Sequence, residues 1–236
     1  FHNYFVLEFN KDFEVTHTWG DDWRLKTNST ENIGNHVGAI IGFQTFDDEE
    51  VEVKVASSFI SLEQAQLNLS REIGKNSFET TKNEARNAWE KELSRIKIYD
   101  DNLDHIKTFY SCLYRLLLFP RKFFEIDKEQ KMVHYSPYNG KVLPGYMFTD
   151  NGFWDTFRAV FPFYSLLYPE KLGEILQGIM VNPYIESGWL PEWSSPGHRD
   201  CMIGSNSASI ISEAYLKGIT NFDIETAYEG IINSSK

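Results

Sequence analysis

The segment Asp150-Asn-Gly-Phe-Trp-Asp-Thr-Phe-Arg-Ala159 marks the point where a loop becomes a helix. A loop rich in Pro, Gly, Asn and Tyr, residues 136–151, leads into it, and an apolar pattern with helical spacing follows it. Trp154, Asp155 and Arg158 therefore fall in the first turn of a predicted helix. Such a place presents free backbone N–H groups beside an aromatic ring, which suits a sugar or an anion.

The chain before this segment begins with predicted β structure. Extended patterns cover residues 2–9, 13–19, 36–43 and 51–60, and Asp47–Glu50 resembles a hairpin turn. The last of these patterns alternates valine with charged residues, which is typical of a half-buried strand. Strands that end in turns in this way predict part of an antiparallel β-sandwich.

Helical patterns follow from Ser61, where Ser61-Leu-Glu-Gln64 has the form of a capping box. Cys112 lies in an apolar stretch and is predicted to be buried, while a disulfide to Cys201 stays open. Gly218 is predicted to cap the C-terminus of a helix. Helix-loop-helix alternation after a β segment predicts an array of helix pairs joined to the sandwich. The predicted helices span residues 76–98, 101–119, 156–167, 170–180, 205–218 and 222–232.

Charge and hydropathy exclude several classes of function. The 236 residues include 34 acidic and 23 basic side chains, a formal net charge of −11, with no Lys/Arg cluster. Nucleic acid is therefore not an expected partner. The apolar runs are too short to span a membrane, and no phosphate-binding glycine loop or serine-hydrolase motif is present.

The first candidate site consists of Trp154, Asp155 and Arg158, and it has two interpretations. In one, Trp154 stacks on a pyranose ring and Asp155 bonds to neighbouring hydroxyl groups. In the other, Asp155 caps the helix or pairs with Arg158, and Trp154 belongs to the core. Residue types alone favour the ion pair, because such pairs are common at helix ends.

A second candidate site lies in the loop Ser187–Asp200, which contains Trp189, Glu192 and Trp193. Two tryptophans and an acid in so short a loop suggest a docked ligand, but a loop packed on itself explains them equally well. The His-Arg-Asp sequence at residues 198–200 is predicted to be surface structure rather than a metal site, which needs several converging ligands.

The order of the short motifs is more specific than any one of them. The motifs are, in order, Ser58–Ser61, Glu63–Ala65, Phe109–Arg115, Trp154–Arg158, Gly188–Pro191, Met202–Gly204, Ala214–Gly218 and Phe222–Asp223. Together they strongly resemble glycoside hydrolase family 92, the calcium-dependent exo-acting α-mannosidases found mainly in bacteria, over essentially the whole chain.

The resemblance implies a fold and its division along the chain. It implies the C-terminal part of an antiparallel β-sandwich in residues 1–60, a helical linker in 61–100 and the first helices of an incomplete (α/α)6 barrel in 101–236. The activity it implies is release of terminal α-linked mannose from N-glycans or mannans with inversion at the anomeric carbon. An extracytoplasmic or cell-surface bacterial location is expected from the same resemblance.

The resemblance places Trp154 and Asp155 in the mannose-binding subsite, and Arg158, Trp189, Glu192 and Trp193 are further candidate sugar contacts. It implies no catalytic residue in this chain, because the family's acid, its base and most of its calcium ligands are expected beyond Lys236. The chain is thus expected to be an inactive fragment whose partner is the remainder of its parent.

One departure from the family's pattern bears on this expectation, and other classes of protein stay open. The family usually has Asp-His after Met-Ile-Gly, whereas Ser205-Asn206 stands here. The alternatives are another (α/α)6 glycosidase of the trehalase or glucoamylase kind, a non-catalytic carbohydrate-binding module, and a purely structural piece.

Overall fold

The computed structural model describes residues 2–235, and its N-terminal part forms two small antiparallel sheets. Strand β1 (Tyr4–Phe9) pairs with β5 (Val53–Ser58), whereas β2 (Val15–Trp19) lies between β3 (Leu25–Thr27) and β4 (Gly38–Gly42). The turn at residues 47–50 therefore joins strands of different sheets, so the hairpin predicted there is wrong. Strand β3 was not predicted, because its segment reads as a polar loop.

Helix α1 (Leu62–Glu72) begins at the predicted cap and packs on the β1–β5 pair. The Ser61 Oγ accepts the N–H of Gln64 at 3.1 Å, which satisfies one free donor of the first turn. The Gln64 side chain does not return to Ser61, since its Nε2 donates to the Ile126 carbonyl at 2.8 Å. Of the two hydrogen bonds of the predicted capping box, only the one accepted by Ser61 is formed. The Gln64 side chain binds the distant Ile126 carbonyl instead.

Helices α2 (Phe78–Leu93) and α3 (Leu103–Leu116) follow, shorter at both ends than predicted. The prediction that Cys112 is buried is wrong, because Cys112 is exposed and only Leu113 in α3 is buried. Adjacent helical residues point about 100° apart, so the buried stripe through Leu113 does not include its neighbour. Cys112 and Cys201 are both free thiols.

Short strands then lead to the loop that opens the site. Strand β8 (Met132–Tyr135) lies between β7 (Glu125–Ile126) and β9 (Val142–Pro144) in one sheet. In separate two-stranded pairs, β6 (Arg121–Lys122) joins β10 (Phe148–Thr149), and β11 (Asn151–Gly152) joins β12 (Trp193–Ser194).

The helices after residue 152 differ from prediction at two places. The predicted helix over 156–167 is divided into a short α4 (Phe153–Thr156) and α5 (Val160–Leu167). Helix α6 (Pro169–Leu176) does not stop before Pro183 but continues through a π-helical turn, Gln177–Val181, into α7 (Asn182–Ser187). The N–H of Asn182 donates to the Gln177 carbonyl, five residues back instead of four. The register of the helical hydrogen bonds has therefore changed just before Pro183, which has no N–H to donate.

Helices α8 (Asn206–Leu216) and α9 (Ile224–Ser234) complete the main core. Gly218 has φ +79°, and the Ile219 N–H donates to the Ala214 carbonyl, which confirms the predicted C-terminal cap. The core is built by helices α5 to α9 together with the start of α4, so the entry into α4 is rigidly held. Its fully buried side chains include Phe153, Phe161, Leu172, Leu176, Ile179 and Ile210.

Taken as a whole, residues 2–235 form a mixed fold, with small antiparallel sheets followed by packed helices. Within that range, no helix combines the length and the apolar character needed to cross a membrane.

Candidate functional site

The two aromatic loops that look separate in the sequence are hydrogen-bonded to each other. In the β11–β12 pair, Asn151 lies opposite Ser194 and Gly152 lies opposite Trp193. The N–H of Phe153 then donates to the Glu192 carbonyl at 3.1 Å. The start of α4 and the second loop therefore form one surface.

Side chains from three segments of this surface lie close to Gly152. A Cβ added at Gly152 would lie 3.2 Å from Asp155 Oδ2, 3.4 Å from Met202 Cε and 3.5 Å from the Trp193 ring. The carboxylate, the thioether and the indole thus lie around one glycine, and an added Cβ would come closer than ordinary contact only to the Asp155 carboxylate. Met202 was not predicted as a site residue, because an isolated methionine carries no functional signal in the sequence.

Trp154 in α4 stacks with Arg158, which lies in the turn between α4 and α5 and not in the first turn of a helix as predicted. The Trp154 side chain is 42% exposed, and the Arg158 guanidinium carbon lies 4.2 Å from its ring centroid. Arg158 also donates a hydrogen bond to the Trp154 carbonyl. Among the described residues, Asp155 neither forms an ion pair with Arg158 nor caps α4 with its side chain, and Trp154 is exposed, so the interpretation of a capped or ion-paired helix start with a core tryptophan is wrong.

The second loop borders a shallow cleft of about 300 Å³. Trp189 is 57% exposed at its edge, directly after Gly188, whose φ of +84° ends helix α7. The cleft is lined by Trp189, Leu190, Glu192, His198, Arg199, Asp200 and Met202. Trp189 and Glu192 thus border one cleft, and sugar binding by these two residues and by Trp193 stays a prediction.

The Glu192 carboxylate is occupied by helix α8. One oxygen accepts the N–H of Asn206 at 2.9 Å, and the other accepts the Ser207 hydroxyl at 2.6 Å and its N–H at 3.4 Å. Ser205, at the N-cap position, contributes no capping bond from its side chain. Glu192 therefore acts as the missing cap of α8 and fixes the loop to that helix.

Asp150, just before the loop pair, holds an unusual backbone conformation. Its φ is +62°, a region that few residues other than glycine adopt. Its carboxylate accepts the Ser195 hydroxyl at 2.9 Å and lies 3.6 Å from Arg121 Nη1. These contacts stabilise the turn that directs the chain into Trp154, a role that nothing in the sequence indicated.

The buried pair of His134 and Glu186 connects the strands before the site to the helix that leads into the second loop. His134 Nε2 lies 2.9 Å from Glu186 Oε1, with side chains only 0% and 5% exposed, and His134 Nδ1 lies 3.0 Å from the Gly145 carbonyl. The pair joins β8 to the end of α7, where the second loop begins. The sequence could not reveal it, because its partners are 52 residues apart and neither belongs to a recognisable motif.

Tyr138 and His198 extend this support to the loop itself. Burial raises the pKa of Tyr138 to about 12, and its hydroxyl lies 3.4 Å from Ser194 Oγ. Burial lowers the pKa of His198, which packs edge-on against Tyr138 and lies 2.9 Å from the Ser187 hydroxyl. His198 thus contacts Tyr138 and Ser187 and helps to hold the second loop.

The calcium ion implied by the resemblance has no suitable set of ligands in this part of the chain. Residues 2–235 contain no group of three or more His, Cys, Asp or Glu side chains placed to hold a metal ion. Calcium requires six to eight oxygen ligands, and exposed Asp155 alone does not provide them.

This mixed fold gathers tryptophans and a carboxylate where a loop enters a helix, an arrangement that suits a sugar. Residues 64–236 match the family model described as the glycosyl hydrolase family 92 catalytic domain. The chain belongs to glycosyl hydrolase family 92. The family expectation drawn from the motifs is thereby confirmed.

Two solved structures show how far the similarity extends. The family GH92 inverting mannosidase BT2199 of Bacteroides thetaiotaomicron VPI-5482 is 45% identical, with a TM-score of 0.94 over 98% of this chain and 31% of its own. The family GH92 α-mannosidase BT3965 of Bacteroides thetaiotaomicron, in complex with mannoimidazole, is 26% identical, with a TM-score of 0.84 over 99% of this chain and 31% of its own. The chain thus spans about a third of the length of these relatives. No curated protein sequence gives a significant match.

Proposed function

We propose that this chain is the sugar-holding part of an inverting exo-α-mannosidase that releases terminal α-linked mannose from N-glycans or mannans. The observation that carries the proposal is the 45% identity to an inverting mannosidase, with a TM-score of 0.94 over 98% of the chain. The chain covers 31% of that relative, and in this proposal the activity also requires the parts of the fold that the relative has in addition.

The geometry supports separate roles for the residues of the surface. In this proposal the Trp154 ring stacks on the apolar face of mannose, and Asp155 accepts hydrogen bonds from its hydroxyls. Trp189 and Trp193 border the same sugar, and Arg158 holds the Trp154 ring through the 4.2 Å stacking contact. Glu192 orients the second loop from its place on α8 and does not need to touch the sugar.

The same proposal extends to the architecture. Residues 1–60 would be the end of a β-sandwich, 61–100 a linker and 101–236 the first helices of an (α/α)6 barrel. Exposed apolar side chains on α8 and α9, such as Leu216 at 83% and Tyr228 at 64%, support further helices packing there. The remainder of the parent chain would be their partner, in an extracytoplasmic protein.

Inversion requires a carboxylic acid and a carboxylate base on opposite faces of the sugar, roughly 6.5–9.5 Å apart. We assign neither role to residues 2–235, and we place the calcium ligands outside them as well. The residues of this chain then bind and orient mannose, while proton transfer is carried out elsewhere in the parent.

Binding and turnover measured separately test the proposal. The 236-residue chain should bind mannose in calorimetry without releasing it from an α-mannoside, whereas the parent protein should release β-mannose as the first anomer seen by NMR. Trp154→Ala and Asp155→Ala should abolish binding, and Phe46→Ala, a change at an aromatic exposed by 79%, should not. Release of α-mannose by the parent, or unchanged binding in both site variants, contradicts the proposal.

A further inference from the structure

The tip of the β2–β3 hairpin presents a second aromatic surface, centred on Trp23. Its side chain is 73% exposed, more than Trp154 at 42% or Trp189 at 57%. Trp23 belongs to the β2–β3–β4 sheet region, whereas Trp154 opens α4. The proposed mannose site does not use it.

One face of the Trp23 ring is supported by a stack of packed groups. The ring lies parallel to that of Trp19, with centroids 5.0 Å apart and planes 10° apart. Trp19 in turn lies against its cross-strand neighbour Gly38, where an added Cβ would come within 2.3 Å of the Trp19 ring. Gly38 and Trp19 therefore hold Trp23 from one side, and its opposite face is left to solvent.

The backbone holds this ring in a fixed orientation. Trp23 has φ +58°, a conformation that a bulky side chain rarely adopts, and its N–H donates to the Gly20 carbonyl at 2.8 Å. The Asp21 carboxylate accepts the N–H groups of Asn35 at 3.1 Å and His36 at 2.7 Å, which joins the hairpin tip to the next loop. The ring is thus ordered before any ligand arrives, so little conformational entropy is lost on binding.

The chemistry of this surface matches a sugar ring. A flat indole face offers stacking area to the C–H groups of a pyranose, and Asp22 and Arg24, both exposed, flank Trp23 in the chain with hydrogen-bonding groups for hydroxyls. We infer that Trp23 forms an auxiliary carbohydrate-binding surface that holds one pyranose unit of a mannose polymer away from the Trp154 site. The choice of mannose rests on the proposed function, whereas the presence of the surface does not.

Electrophoresis of the protein in gels that contain soluble α-mannan tests this inference. Trp23→Ala should weaken the apparent affinity for mannan about tenfold, equivalent to about 1.4 kcal/mol, and Trp23→Phe should retain most of it because a flat ring remains. Phe46→Ala, which removes a similarly exposed aromatic ring, should migrate like the wild type.

Hydroxyl-radical footprinting of the unmodified protein gives an independent measurement that does not depend on how a variant folds. Mannan should protect Trp23 from oxidation. In Trp154→Ala, binding of free mannose should be lost while mannan still protects Trp23, so failure of the proposed site and failure of this surface are distinguishable. Unprotected Trp23, unchanged retardation of Trp23→Ala, or an effect of that variant only on self-association measured by light scattering would overturn the inference.

Discussion

Replacing Glu192 with alanine removes the cap of α8 and the tie between that helix and the second aromatic loop. The carboxylate accepts a 2.9 Å bond from the Asn206 N–H and a 2.6 Å bond from the Ser207 hydroxyl. A hydrogen bond to a charged group contributes about 1.5–3 kcal/mol, and an acid at a helix N-terminus about 0.3–1 kcal/mol. Because Glu192 is only partly buried, we expect a net loss of about 3 kcal/mol for Glu192→Ala.

Thermal and urea unfolding measure this loss. For a chain of this size, 3 kcal/mol lowers the melting temperature by roughly 6–12 °C. Glu192→Gln keeps an acceptor oxygen but loses the negative charge, so it should lose roughly half as much free energy of unfolding as Glu192→Ala. Glu225→Ala is the matched control, because Glu225 lies in the first turn of α9 while Asp223 supplies that helix's cap.

The same variants decide between positioning and direct contact with the sugar. If Glu192 only positions the loop, Glu192→Gln should retain most of the mannose affinity at a small cost in stability. A Glu192→Ala variant that loses less than about 1 kcal/mol would refute the capping argument. A Glu192→Gln variant that folds normally but cannot bind mannose would make Glu192 a sugar contact instead.

Three further variants test the support of the site. Gly152→Ala adds a Cβ 3.2 Å from Asp155 Oδ2, so calorimetry should show about tenfold weaker mannose binding. Unchanged affinity would contradict a role of the space at Gly152 in placing Asp155. His134→Ala leaves the Glu186 carboxylate buried without its partner, so urea unfolding should show a free energy of unfolding lower by about 3–5 kcal/mol. The double variant His134→Ala/Glu186→Gln should recover part of this loss, because the buried charge is removed. Burial raises the pKa of Tyr138 to about 12 from 10.0, so the unfolded state ionises first. Stability is then full below pH 10 and falls between pH 10 and 12, by roughly 2–3 kcal/mol from this group, a fall that Tyr138→Phe should lack in alkaline unfolding curves.

Local patterns predicted those features that depend on neighbouring residues alone. Gly218 ends α8 as expected, because a residue with positive φ after a helix is favourable for glycine and for few others. Ser61 starts α1 as expected, because its hydroxyl needs only the N–H three residues ahead. Pro183 shows the limit of such rules, since a π-helical turn accommodates a residue that normally ends a helix.

The amino-acid sequence by itself determined the change from strands to helices near Ser61, the family, and the two loops in which the tryptophans lie. Only the tertiary structure showed that the loops pair through Gly152 and Trp193, and that Glu192 caps α8. The physical reason is that capping and helical spacing act over a few residues. A cross-strand pair or a buried pair such as His134 and Glu186 instead depends on which distant segments the core brings together. The segment around Trp154 becomes a surface for a ligand only through that long-range packing.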